Sequence, residues 1–274
     1  MRKALPSSQE VTLAEVSWRK VETPSEARVA IRWLGHATAL IELDGVRVLT
    51  DPVLRARVGP LVRVAPLPVN DAMDRLDAVL LSHLHADHVD IPTLRRITPG
   101  TPLVAPHGAG SWLGRQGLSD VHELRTGEQM TIGSLEVTAT PATHDRRRRP
   151  FGPAADPIGY LIRGSRTLYF PGDTDLDPSM AGLRGSVDVA LIPIWGWGRG
   201  VGPGHLDPRR AAIAVALVAP AVAIPIHWGT LALRLTTTRR SDLERPAVEF
   251  VSLTRRYAAG VEVRVLAPGE RIEL

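Results

Sequence analysis

From Val29 onward, short apolar runs alternate with turn residues and with stretches of helical periodicity. The segment "VAIRWLGHATALIELDGVRVLTDP" (29–52) reads as strand, strand and tight turn, and Asp44-Gly45 supplies a hairpin signal because both residues tolerate positive φ. "DAVLLSH", "LEVTATPATH", "YLIRGSRTLYFPGDT", "VDVALIPIWG" and "AVAIPIHWG" are further strand candidates. "VDIPTLRRIT" and "DPRRAAIAVALVAP" read as helices, the second with Asp207 placed to cap it and Pro208 in its first turn. Strands interspersed with helices along the whole chain predict an α/β architecture. Residues 1–28 are polar and mixed, an expected arm or edge element. No Gly- or Ser-rich linker divides 29–274, which therefore reads as one domain without internal repeats.

Composition narrows the chemistry. With 44% apolar and 23% charged residues, the 274-residue chain has the make-up of a globular protein, and at 4% aromatics its core must be built from Ala, Val, Leu and Ile. There is no cysteine, so disulfides and thiolate metal sites are excluded and any metal must be held by His, Asp or Glu. The net charge of +4 rests on 31 arginines against two lysines. That balance suits an anionic small-molecule or lipid-like substrate, because a guanidinium grips oxyanions with two parallel donors; equally, it follows from genomic base composition alone. No nucleic-acid-binding module is readable, so no nucleic-acid partner is expected. The N-terminus lacks the apolar segment of a secretory signal. The most apolar stretch, residues 211–226, falls short of the roughly 20 residues that span a bilayer and is interrupted by Pro220 and Pro225. The expectation is a cytoplasmic protein without a transmembrane segment, open to pairing with a second copy through an exposed sheet or helix face.

Of nine histidines, three fall in "HLHADH", residues 83–88. Several predicted strands run into a metal-binding type of residue: "DAVLLSH" into His83, with His85, Asp87 and His88 in its loop, "LEVTATPATH" into His144, "TLYFPGDT" into Asp173 and "AVAIPIHWG" into His227. Ligands on loops at strand ends can converge at one edge of a sheet. Five imidazoles and two carboxylates are a donor set for two first-row cations, with zinc expected and manganese or iron as alternatives.

"HLHADH" matches the H-x-H-x-D-H signature of the metallo-β-lactamase superfamily, and "PATH", "GDT" and "IHWGT" follow in the same order. Together with "WLGHAT", "TDP", "FPGDT" and "GHLDP", the chain resembles the branch containing N-acylphosphatidylethanolamine phospholipase D and the ascorbate-6-phosphate lactonases. The resemblance implies a four-layer αββα sandwich and two metal sites: His83, His85 and His144 at the first, Asp87, His88 and His227 at the second, with Asp173 bridging. It implies a binuclear hydrolase in which hydroxide held between the metals attacks the substrate, while Asp87 orients the nucleophile and takes its proton. A phosphodiester is the expected substrate, with a lactone or other carboxylic ester as the alternative and a non-catalytic metal-binding protein as a third reading. His205 would steady the developing oxyanion or assist proton transfer, or else orient its own loop. His36 and Asp51 either hold ligands from behind or serve structural turns. The glycine-rich loop 194–204 offers Trp195 and Trp197 as a pocket wall or as core cover. The run "DRRRR" (145–149) could bring Arg146 or a neighbour to a substrate phosphate, or lie solvated at the surface. His107 and His122 read as ordinary surface residues.

Overall fold

The computed structural model describes residues 29–67, 73–97, 99–148, 152–197, 200–234 and 239–274; the predicted arm at 1–28 and Arg149 lie outside them. The first sheet has the order β17-β1-β2-β3-β6-β7-β8, from β1 (Val29–Gly35), β2 (Thr38–Leu43), β3 (Val46–Thr50), β6 (Ala78–Leu80), β7 (Leu103–Pro106), β8 (Val121–Leu124) and β17 (Arg271–Glu273). A small sheet joins β4 (Arg57–Val58), β5 (Leu61–Arg63) and β15 (Leu231–Leu233). The second large sheet runs β16-β14-β13-β12-β11-β10-β9, from β9 (Gln129–Ile132), β10 (Leu135–Pro141), β11 (Ile158–Arg163), β12 (Thr167–Phe170), β13 (Val189–Pro193), β14 (Val222–Ile226) and β16 (Glu262–Val263). The hairpin predicted at Asp44-Gly45 joins β2 to β3, and both turn residues have positive φ.

Period-two alternation decides what each strand faces. In β2, Ala39, Ile41 and Leu43 join the core shared with β10–β14, whereas Leu40 packs on the other side. Ala78 and Leu80 of β6 divide from Val79 in the same way. The outer face of the first sheet carries α1 (Ile91–Ile97) and α2 (Gly110–Arg115), through Leu94, Ile97 and Leu113. The second sheet is backed by α3 (Pro208–Val218) and α4 (Arg240–Tyr257), through Ala211, Val215, Ala247 and Phe250. The layers are thus α, β, β, α, as expected from the sequence. Asp207 caps α3 by accepting from Arg210 N, with Pro208 at the first helical position.

Strand direction is what assembles the site. β1, β3 and β6 run the same way, since β2 is antiparallel to both β1 and β3, and β3 is parallel to β6. β12, β13 and β14 are mutually parallel, and β10 shares their direction because both β10 and β12 oppose β11. The carboxyl ends of seven strands are therefore gathered, three in one sheet and four in the other. Tyr160 of β11 ties the two sheets beside this edge: its buried hydroxyl lies 2.8 Å from Leu81 O and 3.2 Å from Val104 O. Tyr160→Phe removes that donor while keeping the ring, so it is expected to destabilise the protein by about 1–3 kcal/mol. Urea unfolding of the variant and the parent, compared through their midpoints, measures this.

Candidate metal centre

Six of the seven gathered strand ends deliver a polar side chain. His36 follows β1, Asp51 follows β3, His83 lies three residues beyond β6, His144 three beyond β10, Asp173 three beyond β12 and His227 directly after β14. Three of these, His36, Asp51 and His227, hold positive φ values of 54°, 34° and 65°, a conformation that L residues occupy at a cost. Gly172, just before Asp173, also has positive φ, and a Cβ there would lie 2.4 Å from Ser82 Cβ; glycine lets the two loops touch.

The imidazoles form two groups. His83, His85 and His144 bring donor atoms within 4.8 Å of one another, and so do His88, His227, Asp87 and His36. Asp173 stands between the groups, with Oδ2 3.1 Å from His88 Nε2 and 3.4 Å from His205 Nε2, and Oδ1 3.2 Å from His227 Nε2.

The second nitrogen of each ring shows what the first is free to do. His144 Nδ1 donates to Gly204 O (2.7 Å), His227 Nδ1 to Trp195 O (2.6 Å) and His85 Nε2 to Arg147 O (3.1 Å). His88 Nδ1 donates to Asp51 Oδ2 (2.8 Å). Ser82 gives its hydroxyl proton to Asp51 Oδ2 (2.5 Å), so its oxygen accepts from His83 Nδ1 (3.0 Å). These partners turn the remaining nitrogens inward, as lone pairs in the rings that are neutral. His144 Nε2 and His85 Nδ1 then face each other at 2.9 Å, and His83 Nε2 is buried without a hydrogen-bond partner among the described residues. Converging lone pairs repel unless a cation lies between them. The donor set therefore fits metal ions bound by imidazole and carboxylate.

Electrostatics agree with this. Burial lowers His36, His85 and His83, the last strongly, and pushes His144 down to about 4 and His227 to about 3, so these rings are neutral at pH 7. His88 differs: burial opposes its charge, but Asp173 and Asp51 hold it well above the usual histidine value, so positive charge at its Nε2 is favoured. Asp173 and Asp87 stay ionised despite burial, Asp173 because of His227 and His88 and Asp87 because of His36. Asp51 accepts from Ser82 N, Ser82 Oγ and His88 Nδ1, and so stands behind rings of both groups. His36 Nε2 (3.0 Å) and Trp197 Nε1 (2.9 Å) both reach Asp87 Oδ2.

A cleft of about 810 Å³ opens over the imidazoles, lined on one wall by Val58, Pro60, Leu61, Trp197 and Pro203 and at its base by His85, Asp87, His144, Asp173 and His205. Two sequence expectations fall elsewhere. Trp195 packs against the core and contributes its backbone carbonyl to His227. Arg146 is 63% exposed and pairs with Asp156 at 2.7 Å, so it is not among the cleft's lining residues; the loop leaving His144 turns it toward the surface. His107 and His122 are at the surface, beside Glu123 and Asp120. The hairpin of β4 and β5, which supplies Val58, Pro60 and Leu61, was not read from the sequence; the only trace of it is the Gly59-Pro60 turn.

Among the described residues no helix is long and apolar enough to cross a membrane. A family model described as a beta-lactamase superfamily domain matches residues 46–228. The chain is 34% identical over 250 residues to a UPF0173 metal-dependent hydrolase of Methanopyrus kandleri, covering 89% of this chain and 99% of that protein. It is 32% identical over 245 residues to an N-acyl-phosphatidylethanolamine-hydrolyzing phospholipase D of Caenorhabditis elegans, covering 77% of this chain and 67% of the other. Among solved structures, a metallo hydrolase from Ignicoccus hospitalis superposes with a TM-score of 0.70 at 23% identity, over 90% of this chain and 98% of that one. Fold, donor set and relatives agree, and the chain belongs to the metallo-β-lactamase superfamily as a metal-dependent hydrolase.

Proposed function

We propose that the protein is a binuclear hydrolase of phosphodiesters, with His83, His85 and His144 holding one divalent cation, Asp87, His88 and His227 a second, and Asp173 shared between them. The observation that carries this reading is the inward convergence of imidazole nitrogens whose other nitrogens are all tied outward. Zinc is the cation that this donor set suits first. Bound there, such cations supply Lewis acidity and a water of lowered pKa.

The chain's own residues supply the rest. Asp87, ionised and held through Oδ2 by His36 and Trp197, stands at the base of the cleft, where it would orient a nucleophile and take its proton. His205 lines the cleft and reaches Asp173 Oδ2 from the open side; burial is outweighed by Asp173, and its pKa is raised, so it can donate to an oxygen on which negative charge grows.

The arginine excess does not support the substrate assignment, because no described residue lining the cleft is Arg or Lys. Support comes instead from the likeness to a phospholipase D. A carboxylic ester or lactone is favoured as a second reading by the same uncharged wall. Rates on bis-(p-nitrophenyl) phosphate and on simple lactones decide between them.

Asp173→Ala is expected to lose bound metal by elemental analysis and nearly all turnover; a fully active, metal-poor variant refutes the assignment. His205→Ala should keep its metal while kcat falls by ~10²–10³-fold. In the metal-stripped protein, acid should be destabilising over a defined window. His144 and His227 titrate at about 4 and about 3 when folded and near 6.5 when unfolded, so the unfolded chain binds more protons in between. The stability from keeping them neutral is complete above about 6.5 and is lost as pH falls toward their folded values. His88, raised in the folded state, is protonated in both states below about 6.5 and adds no slope there. Urea midpoints of EDTA-treated protein should therefore fall steadily from pH 6.5 toward 4, and a flat profile contradicts the neutral pocket.

A further inference from the structure

We propose that Arg148 is a positioning residue for the metal centre: its guanidinium clamps both ends of the "HLHADH" loop to the segment that delivers His144. This rests on the metal assignment above and goes beyond it.

Nη1 of Arg148 lies 2.6 Å from Leu84 O and 3.1 Å from Val89 O, the carbonyls inside the first and just after the last histidine of the motif. The guanidinium carbon is 5.0 Å from the centroid of the Trp112 ring on α2, which gives the planar group a face to rest on. One residue earlier, Arg147 O accepts from His85 Nε2 and sets the tautomer of that ring. Residues 144–148 thus provide a candidate ligand, the acceptor that orients a second, and a cation that bridges the turn carrying the others. Within the loop the backbone bonds are His88 N and Val89 N on His85 O, and Asp51, His36 and Trp197 hold its side chains; Arg148 adds a hold on the backbone carbonyls of Leu84 and Val89. Beyond it Asp90 caps α1 through Thr93 and pairs with Arg55, which anchors the C-terminal side but not Leu84. A lysine could not combine the two carbonyl contacts with the stacked plane.

The arginine run that sequence reading offers to a substrate phosphate is therefore spent, at Arg148, on backbone carbonyls. Groups hydrogen-bonded directly to metal ligands change metal affinity by about 10- to 100-fold; Arg148 acts one step further out, through the backbone of the loop, so the lower end of that range is expected. The test is Arg148→Met, which keeps a long apolar stem over Trp112 and removes the donors. Zinc affinity is read by competition with a chromophoric chelator, and ligand geometry by the visible spectrum of the cobalt(II)-substituted protein. Arg163→Met, which removes a surface pair with Glu136 (3.1 Å), is the control. Expected are roughly 10-fold or greater loss of zinc affinity and altered cobalt bands in the Arg148 variant, with neither in the control. Zinc affinity within twofold of the parent with an unchanged cobalt spectrum overturns the proposal, even if the variant melts earlier, since lost stability alone is what a merely structural arginine would show. Should Arg148→Met fail to fold, Trp112→Leu removes the stacking face and is judged by the same two readouts. A parent protein that binds neither zinc nor cobalt would instead overturn the metal assignment itself.

Discussion

The structure turns on where five imidazoles send their N–H groups. A neutral imidazole has one donor and one lone pair, so an acceptor at one nitrogen dictates what the other presents. Here the acceptors are Gly204 O, Trp195 O, Arg147 O, the Asp51 carboxylate and the Ser82 hydroxyl, and all lie outside the cluster. Three are backbone carbonyls, so ligand geometry is written into the course of loops and not only into side chains. This explains why so much of the surrounding structure is devoted to fixing loops: left-handed backbone at His36, Asp51 and His227, a glycine before Asp173, and a buried tyrosine tying Leu81 to the opposite sheet.

Asp51 shows how the two halves are coupled. It receives Ser82 N, Ser82 Oγ and His88 Nδ1, and Ser82 in turn receives His83. One carboxylate thus orients a ring of each group. Burial alone would favour its protonated form, and these donors oppose that. His36 and Trp197 do the same for Asp87 from the side of the cleft. The indole is 39% exposed and lies on the glycine-rich loop, so a substrate pressing on the wall also touches the group that holds Asp87.

The convergence of these side chains was legible in the sequence for a physical reason: residues that can bind a metal stand just after apolar strand runs, and parallel strands bring such ends to one edge. Two of the strands that precede them, β6 and β14, read correctly because they are continuous apolar runs buried on both faces. α4 was not read, although Ala247, Phe250 and Val251 give it a buried stripe, because Pro246 interrupts the pattern inside its first half. The small sheet was missed because strands of two and three residues carry no periodicity, and β15 pairs with β5 across most of the chain. Nor can a sequence say which guanidinium of a run points inward. Arg146 goes to Asp156 and Arg148 to the metal-binding loop, a difference set by the turn after His144.

That last distinction bears on why the chain is so rich in arginine. Arg63 repeats the pattern of Arg148 on the segments that carry His36 and Asp51: its Nη1 is 3.1 Å from Leu34 O and its Nη2 2.7 Å from Val53 O, bridging the backbone just before His36 and just after Asp51. Burial pushes it down to about 10, still charged at neutral pH. A guanidinium carries five donors in a rigid plane, so it can satisfy carbonyls from two loops at once while its charge offsets the carboxylates gathered nearby. A lysine would meet the same carbonyls as a mobile point charge. On this view the arginines beside the metal centre answer to the shape of the ligand loops rather than to the charge of the substrate, and the cleft itself is left free of fixed cations among its described residues.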